Sequence, residues 1–104
     1  MKTAYEFIRT LMIIRCNKRL ERLIHFKAPD FMIDTEKSII WRLENREFKF
    51  NKTMNICENY LVVSHEQKTG NGGKKYCEIK TTQGIILFFP NAKFGSFVSL
   101  KNNK

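Results

Sequence analysis

Residues 69–73 read Thr-Gly-Asn-Gly-Gly. They follow a β-branched run at residues 60–64 and precede a segment, residues 76–82, in which the side chains assigned to the two faces alternate. Asn and Gly tolerate the positive φ angles that tight hairpin turns require. Alternation with a period of two is typical of strands, because successive side chains point to opposite faces of a sheet. This stretch therefore predicts a β-hairpin.

Two more turn signals follow along the chain, first Gly84 and then Pro90-Asn91. The β-branched and aromatic residues between the signals favour strands. The candidate strands lie at residues 60–64, 76–82, 85–89 and 94–100, and the alternation of Phe48 and Phe50 with charged residues gives a candidate fifth. Residues 47–100 are thus predicted to form an antiparallel meander of four or five strands.

The first part of the chain, residues 3–46, has a helical pattern. Residues 4–27 contain no Pro or Gly and predict a long helix. Residues 4–14 are apolar on two sides, so they are expected either to be buried on both sides or to form a separate strand. At about 100° per residue, the later part of the helix has one apolar face. That face carries Cys16, Leu20, Leu23 and Ile24.

A second helix is predicted after Pro29 and Asp30, which interrupt the first. Asp34 has the side chain of a good N-cap, Glu36 falls in the favourable first turn, and the helix is expected to run to about Arg46. A chain of 104 residues has the size of one domain. The predicted fold is a single α+β domain, with two N-terminal helices packed on the antiparallel sheet. The core face of the second helix carries Ile39, Ile40 and Leu43.

The charge of the chain points to a class of partner. Lys and Arg number 19 against 10 Asp and Glu, a formal net charge of +9. An excess this large attracts polyanions, so nucleic acid is the leading partner, with RNA favoured. The N-terminal apolar run is interrupted by Glu6 and Arg9, and no apolar stretch reaches the roughly 18 residues that cross a bilayer. We therefore expect a cytoplasmic protein with no membrane span, and the sequence leaves its oligomeric state open.

The candidate phosphate-binding cations fall into two groups. One group gathers on a single arc of the first helix without an anion on that arc, and the other lies on or beside the second predicted strand. Tyr76, on the same strand, and Trp41 are candidates for stacking against bases. A face of solvated lysines and arginines is the plain alternative. The predicted nucleic-acid-binding residues are Arg15, Lys18, Arg19, Arg22, Lys74, Lys75, Lys80 and Tyr76.

The three cysteines, Cys16, Cys57 and Cys77, are an odd number at wide spacing. The chain has no Cys-x-x-Cys pair that would indicate zinc or a redox dithiol. They are predicted to be free thiols, and neither a metal site nor a cofactor is predicted.

One strand motif is compatible with a metal-dependent nuclease. Glu78 and Lys80 form a Glu-x-Lys pattern, in which the carboxylate can hold Mg²⁺ and the lysine can stabilise the attacked phosphate. Such a site needs a second acid a short way upstream, and a cross-strand salt bridge on a solvated sheet face is the simpler interpretation. The acids that remain are distant in sequence or unusual for the role: Asp30, Asp34, Glu58 and Glu66.

A metal-free ribonuclease is the second enzymatic interpretation, since attack by the 2′-hydroxyl needs only a base, an acid and cations around the phosphate. His25, Glu78 and Lys80 are the candidate catalytic residues. Two helices followed by a four-stranded antiparallel sheet, with a basic charge, resemble the small RelE-like and barnase-like ribonucleases in element order and charge only. That resemblance implies a toxin-type endoribonuclease. A non-enzymatic phage or plasmid accessory protein that binds an acidic host protein is the other alternative.

Overall fold

The structure, a computed structural model, describes the backbone of residues 1–92 and 95–101 and the side chains of these residues outside 91–97. The predicted α+β class is confirmed, because the strands form one antiparallel sheet in the order β1-β2-β3-β4. Phe94, where the last strand was predicted to begin, lies outside the described residues. The helices are α1 (Ala4–His25), α2 (Asp30–Glu44) and α3 (Lys52–Cys57), and the strands are β1 (Val62–Thr69), β2 (Lys75–Thr81), β3 (Ile85–Ala92) and β4 (Gly95–Lys101).

The chain forms two compact units. Met1–Ile8 and Phe50–Lys104 make up the sheet unit, and Arg9–Lys49 make up the helical unit, which holds most of α1 and all of α2. The boundary between the two units follows Lys49, whereas the helical half was predicted to end near Arg46, and the first turn of α1 belongs to the sheet unit. Within the described part of the chain, no helix has the length and apolar character needed to cross a membrane.

The core of the sheet unit lies on one face of the sheet. Its largest side chains are completely or almost completely buried, because alternation along the strands brings them to the same face. The start of α1 is hydrogen-bonded to the segment that leads into β1. The Ala4 N–H donates to the Tyr60 carbonyl at 2.7 Å, and Thr3 forms an isolated antiparallel β-bridge with Leu61. The core face carries Ile79 from β2, Ile86 and Phe88 from β3, and Val98 from β4.

Two of the three predicted turns are confirmed. Gly72 and Gly73 have φ angles of 77° and 76° in the hairpin, and Gly84 has a φ of 153° between β2 and β3. The turn predicted at Pro90-Asn91 is wrong, because β3 continues to Ala92. The pairing register of β3 with β4 shifts between Phe89 and Ala92. Such a bulge accommodates Pro, which has no N–H to donate to the ladder.

Other local predictions need correction. Residues 4–14 are helical rather than a strand. One of their two apolar sides is buried at Ile8 and Met12, while the other is half-buried at Phe7 and Leu11 and 46% exposed at Ile14, so burial on both sides is only partial. The candidate strand around Phe48 and Phe50 is absent from the described structure, and the short helix α3 follows it instead. Tertiary packing decides such short segments more than local propensity does.

The second helix starts earlier than predicted. Asp34 lies inside α2 rather than at its N-cap, because Pro29 occupies that position and Asp30 opens the helix. Pro29 precedes the helix with a ψ of 147° and gives no side-chain cap, and an acid in the first turn is favoured by the helix dipole. Glu36 consequently lies in the middle of α2, where it is buried. Of the predicted core residues of this helix, Ile40 and Leu43 are buried as expected, and Ile39 is half-buried.

Both long helices end in the same type of turn, with a basic residue in the left-handed region. At the end of α1, the Ala28 N–H donates to the Leu23 carbonyl at 2.9 Å and the Lys27 N–H to the Ile24 carbonyl at 3.1 Å. Lys27 has a φ of 54°. These are the hydrogen bonds of a Schellman motif, in which Gly is the preferred residue at the left-handed position.

Changing Lys27 to Gly should stabilise the protein. A residue with a side chain costs about 1–2 kcal/mol in the left-handed region, and Gly avoids this cost. Gly also loses more backbone entropy on folding, which cancels part of the gain. The expected gain is roughly 0.5–1 kcal/mol in the free energy of unfolding, measured by urea denaturation. Lys27→Ala removes the charge and keeps the strain, so it should give no gain. An equal gain in the Ala variant would show that charge is responsible instead.

Candidate nucleic-acid interface

The second face of the sheet carries three of the strand residues that the sequence singled out. In β2, Tyr76, Glu78 and Lys80 alternate with the core residues and share this face, as predicted. The pairing registers bring residues of the neighbouring strands beside them. We call this surface the lysine face; it consists of Ser64, Glu66 and Lys68 in β1, Tyr76, Glu78 and Lys80 in β2, Ile85, Leu87 and Phe89 in β3, and Ser99 and Lys101 in β4.

An aromatic pair lies on the lysine face. The rings of Tyr76 and Phe89 are stacked, with centroids 5.2 Å apart and an angle of 26° between their planes. Both residues are half-buried. They are on adjacent strands, each one residue beyond the last pair of the β2–β3 register, Cys77 with Phe88. Neighbouring aromatic rings on a sheet provide planar surfaces on which unstacked bases can stack.

A buried carboxylate lies among the lysines. Glu78 is only 4% exposed. Its Oε1 atom lies 3.3 Å from Nζ of Lys68, and its Oε2 atom lies 3.5 Å from Nζ of Lys101. The sequence predicted a cross-strand salt bridge at this position, and the structure contains one. Its surroundings differ from the prediction, because Glu78 is not on a solvated surface. Its partners come from β1 and β4 and do not include Lys80 among the described ion pairs.

These contacts change the ionisation of Glu78 and Lys68. Burial alone raises the pKa of Glu78, but the hydrogen bond and charge of Lys68, together with Lys101, outweigh it and hold the pKa below its ordinary value. The hydrogen bond from Lys68 to Glu78 correspondingly raises the pKa of the Lys68 ammonium. The carboxylate is therefore charged at neutral pH and fixes two lysines on the lysine face.

The stabilisation from Glu78 should depend on pH. A carboxyl whose pKa is lower in the folded state stabilises the fold above its ordinary pKa of 4.5 and loses that contribution as pH falls through the folded pKa. The difference in unfolding free energy between wild type and Glu78→Gln should therefore be largest near neutral pH and shrink below about pH 4.5. Urea unfolding across a pH series measures it. A difference that stays constant with pH would contradict this account.

The predicted strand lysines do not share one face. Lys80 is exposed on the lysine face, and Lys74, in extended backbone just before β2, falls on the same side by alternation. Lys75 pairs with Thr69 and points to the opposite side. All three are exposed. The structure therefore brings Lys74, Lys80 and Tyr76 together and separates Lys75 from them.

The helix cations belong to the helical unit, and one of them is engaged. Arg19 makes an ion pair with Glu36 of α2, with the Nη1 and Oε1 atoms 3.1 Å apart. The arc on α1 carries no anion of its own, but α2 supplies this one. Lys18 and Arg22 are exposed and Arg15 is half-buried.

Glu36 also acts on the thiol of Cys16. Burial raises the pKa of Cys16 to about 11, and the negative charge of Glu36 adds to the increase.

The candidate catalytic residues are divided between the two units. His25 is the last residue of α1, is exposed, and contacts the Phe26 ring edge-on at 5.0 Å. Glu78 and Lys80 belong to the sheet unit. Neither unit alone contains all three candidates. Within the described residues there is also no cluster of three or more His, Cys, Asp or Glu side chains that could hold a metal ion.

Sequence reasoning missed three members of this surface. Lys68, Phe89 and Lys101 become neighbours of Glu78 and Tyr76 only through strand pairing. Phe89 had one available signal, because it continues the alternation of Ile85 and Leu87 along β3. His65, by contrast, lies on the core side, where its ring is 4.7 Å from that of Phe7.

Comparison with known proteins gives no relative from which a function could be inferred, so the functional assignment is based on the lysine face. No family model, no curated protein and no solved structure matches this chain.

Proposed function

We propose that this protein binds single-stranded nucleic acid, with RNA favoured, and that the lysine face is the binding surface. The observation that carries the proposal is the stacked pair Tyr76–Phe89 on the same sheet face as Lys68, Lys80 and Lys101. Aromatic rings stack on bases and lysines contact phosphates, and together these are the two components of single-strand recognition.

The distribution of charge supports the same function. The net charge of +9 attracts a polyanion from solution. Glu78 neutralises part of the positive charge of Lys68 and Lys101, while Lys74 and Lys80 have no ion pair among the described contacts. These two exposed lysines, Lys80 on the lysine face and Lys74 just before β2 on the same side of the sheet, are therefore the phosphate contacts that we propose. RNA is favoured because protein recognition of RNA sequence mostly uses unpaired bases.

The helical unit can add phosphate contacts of its own. Lys18 and Arg22 are exposed on α1, whereas Arg19 is held by Glu36. An acidic protein could use the same two cations, so the binding assay must separate the partners. Nucleic acid is the partner we propose, because an acidic protein surface has no need of the aromatic pair.

The test is fluorescence anisotropy with labelled single-stranded RNA, single-stranded DNA and duplex RNA at two salt concentrations. We expect single strands to bind more tightly than the duplex, whose stacked bases cannot reach the rings, and affinity to fall steeply with salt. Absence of binding at low salt would overturn the proposal in favour of an acidic protein partner. Equal binding of duplex and single strands would exclude base stacking.

The same samples test the ribonuclease alternative. Cleavage in EDTA with 2′,3′-cyclic phosphate ends would indicate a metal-free ribonuclease, because 2′-hydroxyl attack needs acid–base groups and no ion. Cleavage only with Mg²⁺ would indicate a metal-dependent nuclease that uses Glu78 and Lys80. For a protein that only binds, the RNA should stay intact in both conditions.

A further inference from the structure

A second surface feature lies in the helical unit, at the end of α2. An open cleft of about 450 Å³ is lined by Trp41, Arg42, Glu47, Phe48 and Lys49. This volume is within the range of roughly 300–1,000 Å³ that is typical of small-molecule sites. The lining combines two aromatic rings, two cations and one carboxylate.

The turn that ends α2 builds this cleft. The Glu47 N–H donates to the Arg42 carbonyl at 2.7 Å and the Arg46 N–H to the Leu43 carbonyl at 3.3 Å, which is a Schellman motif with Arg46 at a φ of 59°. The motif reverses the chain, so that Glu47 and Phe48 return towards the last turn of the helix. The Phe48 N–H also donates to the Arg42 carbonyl, at 3.2 Å.

The tryptophan and the three charged side chains of the cleft are available to a ligand. Trp41 is 56% exposed although it is the largest apolar side chain of α2. Arg42, Glu47 and Lys49 are exposed, and none of them has a side-chain hydrogen bond or ion pair among the described contacts. The cleft therefore offers a ligand an aromatic ring, a carboxylate and two cations on one surface.

We propose that this cleft binds a guanine nucleotide. The base would stack on Trp41 and Phe48, and the Glu47 carboxylate, which can only accept hydrogen bonds, would accept the N1–H and N2–H of guanine. Adenine presents one donor on its base-pairing edge and cannot make both bonds. Arg42 and Lys49 would contact the phosphate. The guanine can belong to a free nucleotide or to an unpaired position of an RNA strand, and the cleft reads the same atoms in both.

This inference does not depend on the lysine face, because all five lining residues belong to the helical unit. The chain also contains its own reporter. Trp41 is the single tryptophan, so a change in tryptophan fluorescence reports events at this cleft. We propose to titrate the full chain with GMP and with AMP, and with two short oligonucleotides that differ only by one guanine or one adenine.

We expect saturable quenching by GMP at roughly tenfold lower concentration than by AMP, as two directed hydrogen bonds to a base edge discriminate by about this factor or more. Glu47→Gln should abolish the preference for GMP over AMP. The double variant Arg42→Gln with Lys49→Gln should weaken the binding of GMP but leave unchanged the binding of guanosine, which has no phosphate. Stronger quenching by the guanine oligonucleotide than by GMP would identify RNA as the source of the base, and the reverse order a free nucleotide.

A matched control separates the two sites. Tyr76→Ala changes the lysine face and should leave the quenching of Trp41 by GMP unaltered. Loss of RNA binding with normal quenching by GMP would therefore affect only the lysine face, and loss of quenching by GMP with normal RNA binding would affect only the cleft. The substituted residues of the cleft are exposed, and circular dichroism checks that each variant is folded. Absence of saturable quenching, or equal quenching by GMP and AMP in the wild type, would overturn the proposal.

Discussion

Changing Lys74 and Lys80 together to Gln is expected to reduce both the affinity for single-stranded RNA and its dependence on salt. Each phosphate contact on a single strand contributes about 0.7 to the slope of log affinity against log salt, so two lost contacts should lower the slope by about 1.4. The loss of two exposed ionic contacts should weaken binding roughly tenfold near physiological salt. Anisotropy titrations across a salt series give both values.

The control for this experiment comes from the structure of β2. Lys75 is the neighbour of Lys74 in sequence and is also exposed, but its pairing with Thr69 places it on the opposite side of the sheet. Lys75→Gln removes one charge without touching the lysine face and should leave the slope almost unchanged. An equal effect at Lys75 would show that net charge alone drives binding. If only Lys18→Gln with Arg22→Gln reduces the slope, the contact surface is on α1 instead.

Changing Tyr76 to Ala is expected to have the largest effect on affinity of any single substitution on the lysine face. Stacking of one base on an aromatic side chain contributes about 1–3 kcal/mol, so the affinity for single-stranded RNA should fall roughly 5- to 150-fold. The salt slope should stay the same, because no phosphate contact is removed. The two variants therefore separate the contribution of the bases from that of the backbone.

Tyr76→Phe is the matched control, because it keeps the ring and removes only the hydroxyl. It should bind RNA within a few-fold of wild type. Thermal denaturation must accompany the Ala variant, since Tyr76 is half-buried against Phe89 and its loss also removes packing. A folded Tyr76→Ala protein with unchanged affinity would rule out stacking at this position.

Much of the secondary structure follows from local sequence signals. The Asn-Gly-Gly turn fixed the β1–β2 hairpin, and Gly84 the next turn, because only these backbones adopt positive φ at low cost. The local signals failed where the same residues are compatible with two different local structures. Pro90-Asn91 looks like a turn but lies in a bulged strand, and Asp34 looks like a cap but lies one turn inside α2.

The candidate site was only partly predictable. Alternation in β2 correctly grouped Tyr76, Glu78 and Lys80, since the period of a strand needs no knowledge of its neighbours. It could not show that Glu78 is buried or that its partners are Lys68 and Lys101, because these contacts depend on the order of the strands in the sheet and on their register. The ion pair between Arg19 and Glu36 escaped detection for the same reason.

The sequence by itself determined the α+β class, the antiparallel hairpins and the basic charge, all of which depend on residue composition, short-range periodicity and local backbone preference. Tertiary structure alone decided which cations are free, which carboxylates are buried and which rings are adjacent. Lys74 and Lys75 show the difference, since they are identical neighbours in sequence and lie on opposite sides of the sheet. Pairing between distant segments sets these properties, and an interaction between two positions far apart in the chain leaves no signal in either local pattern.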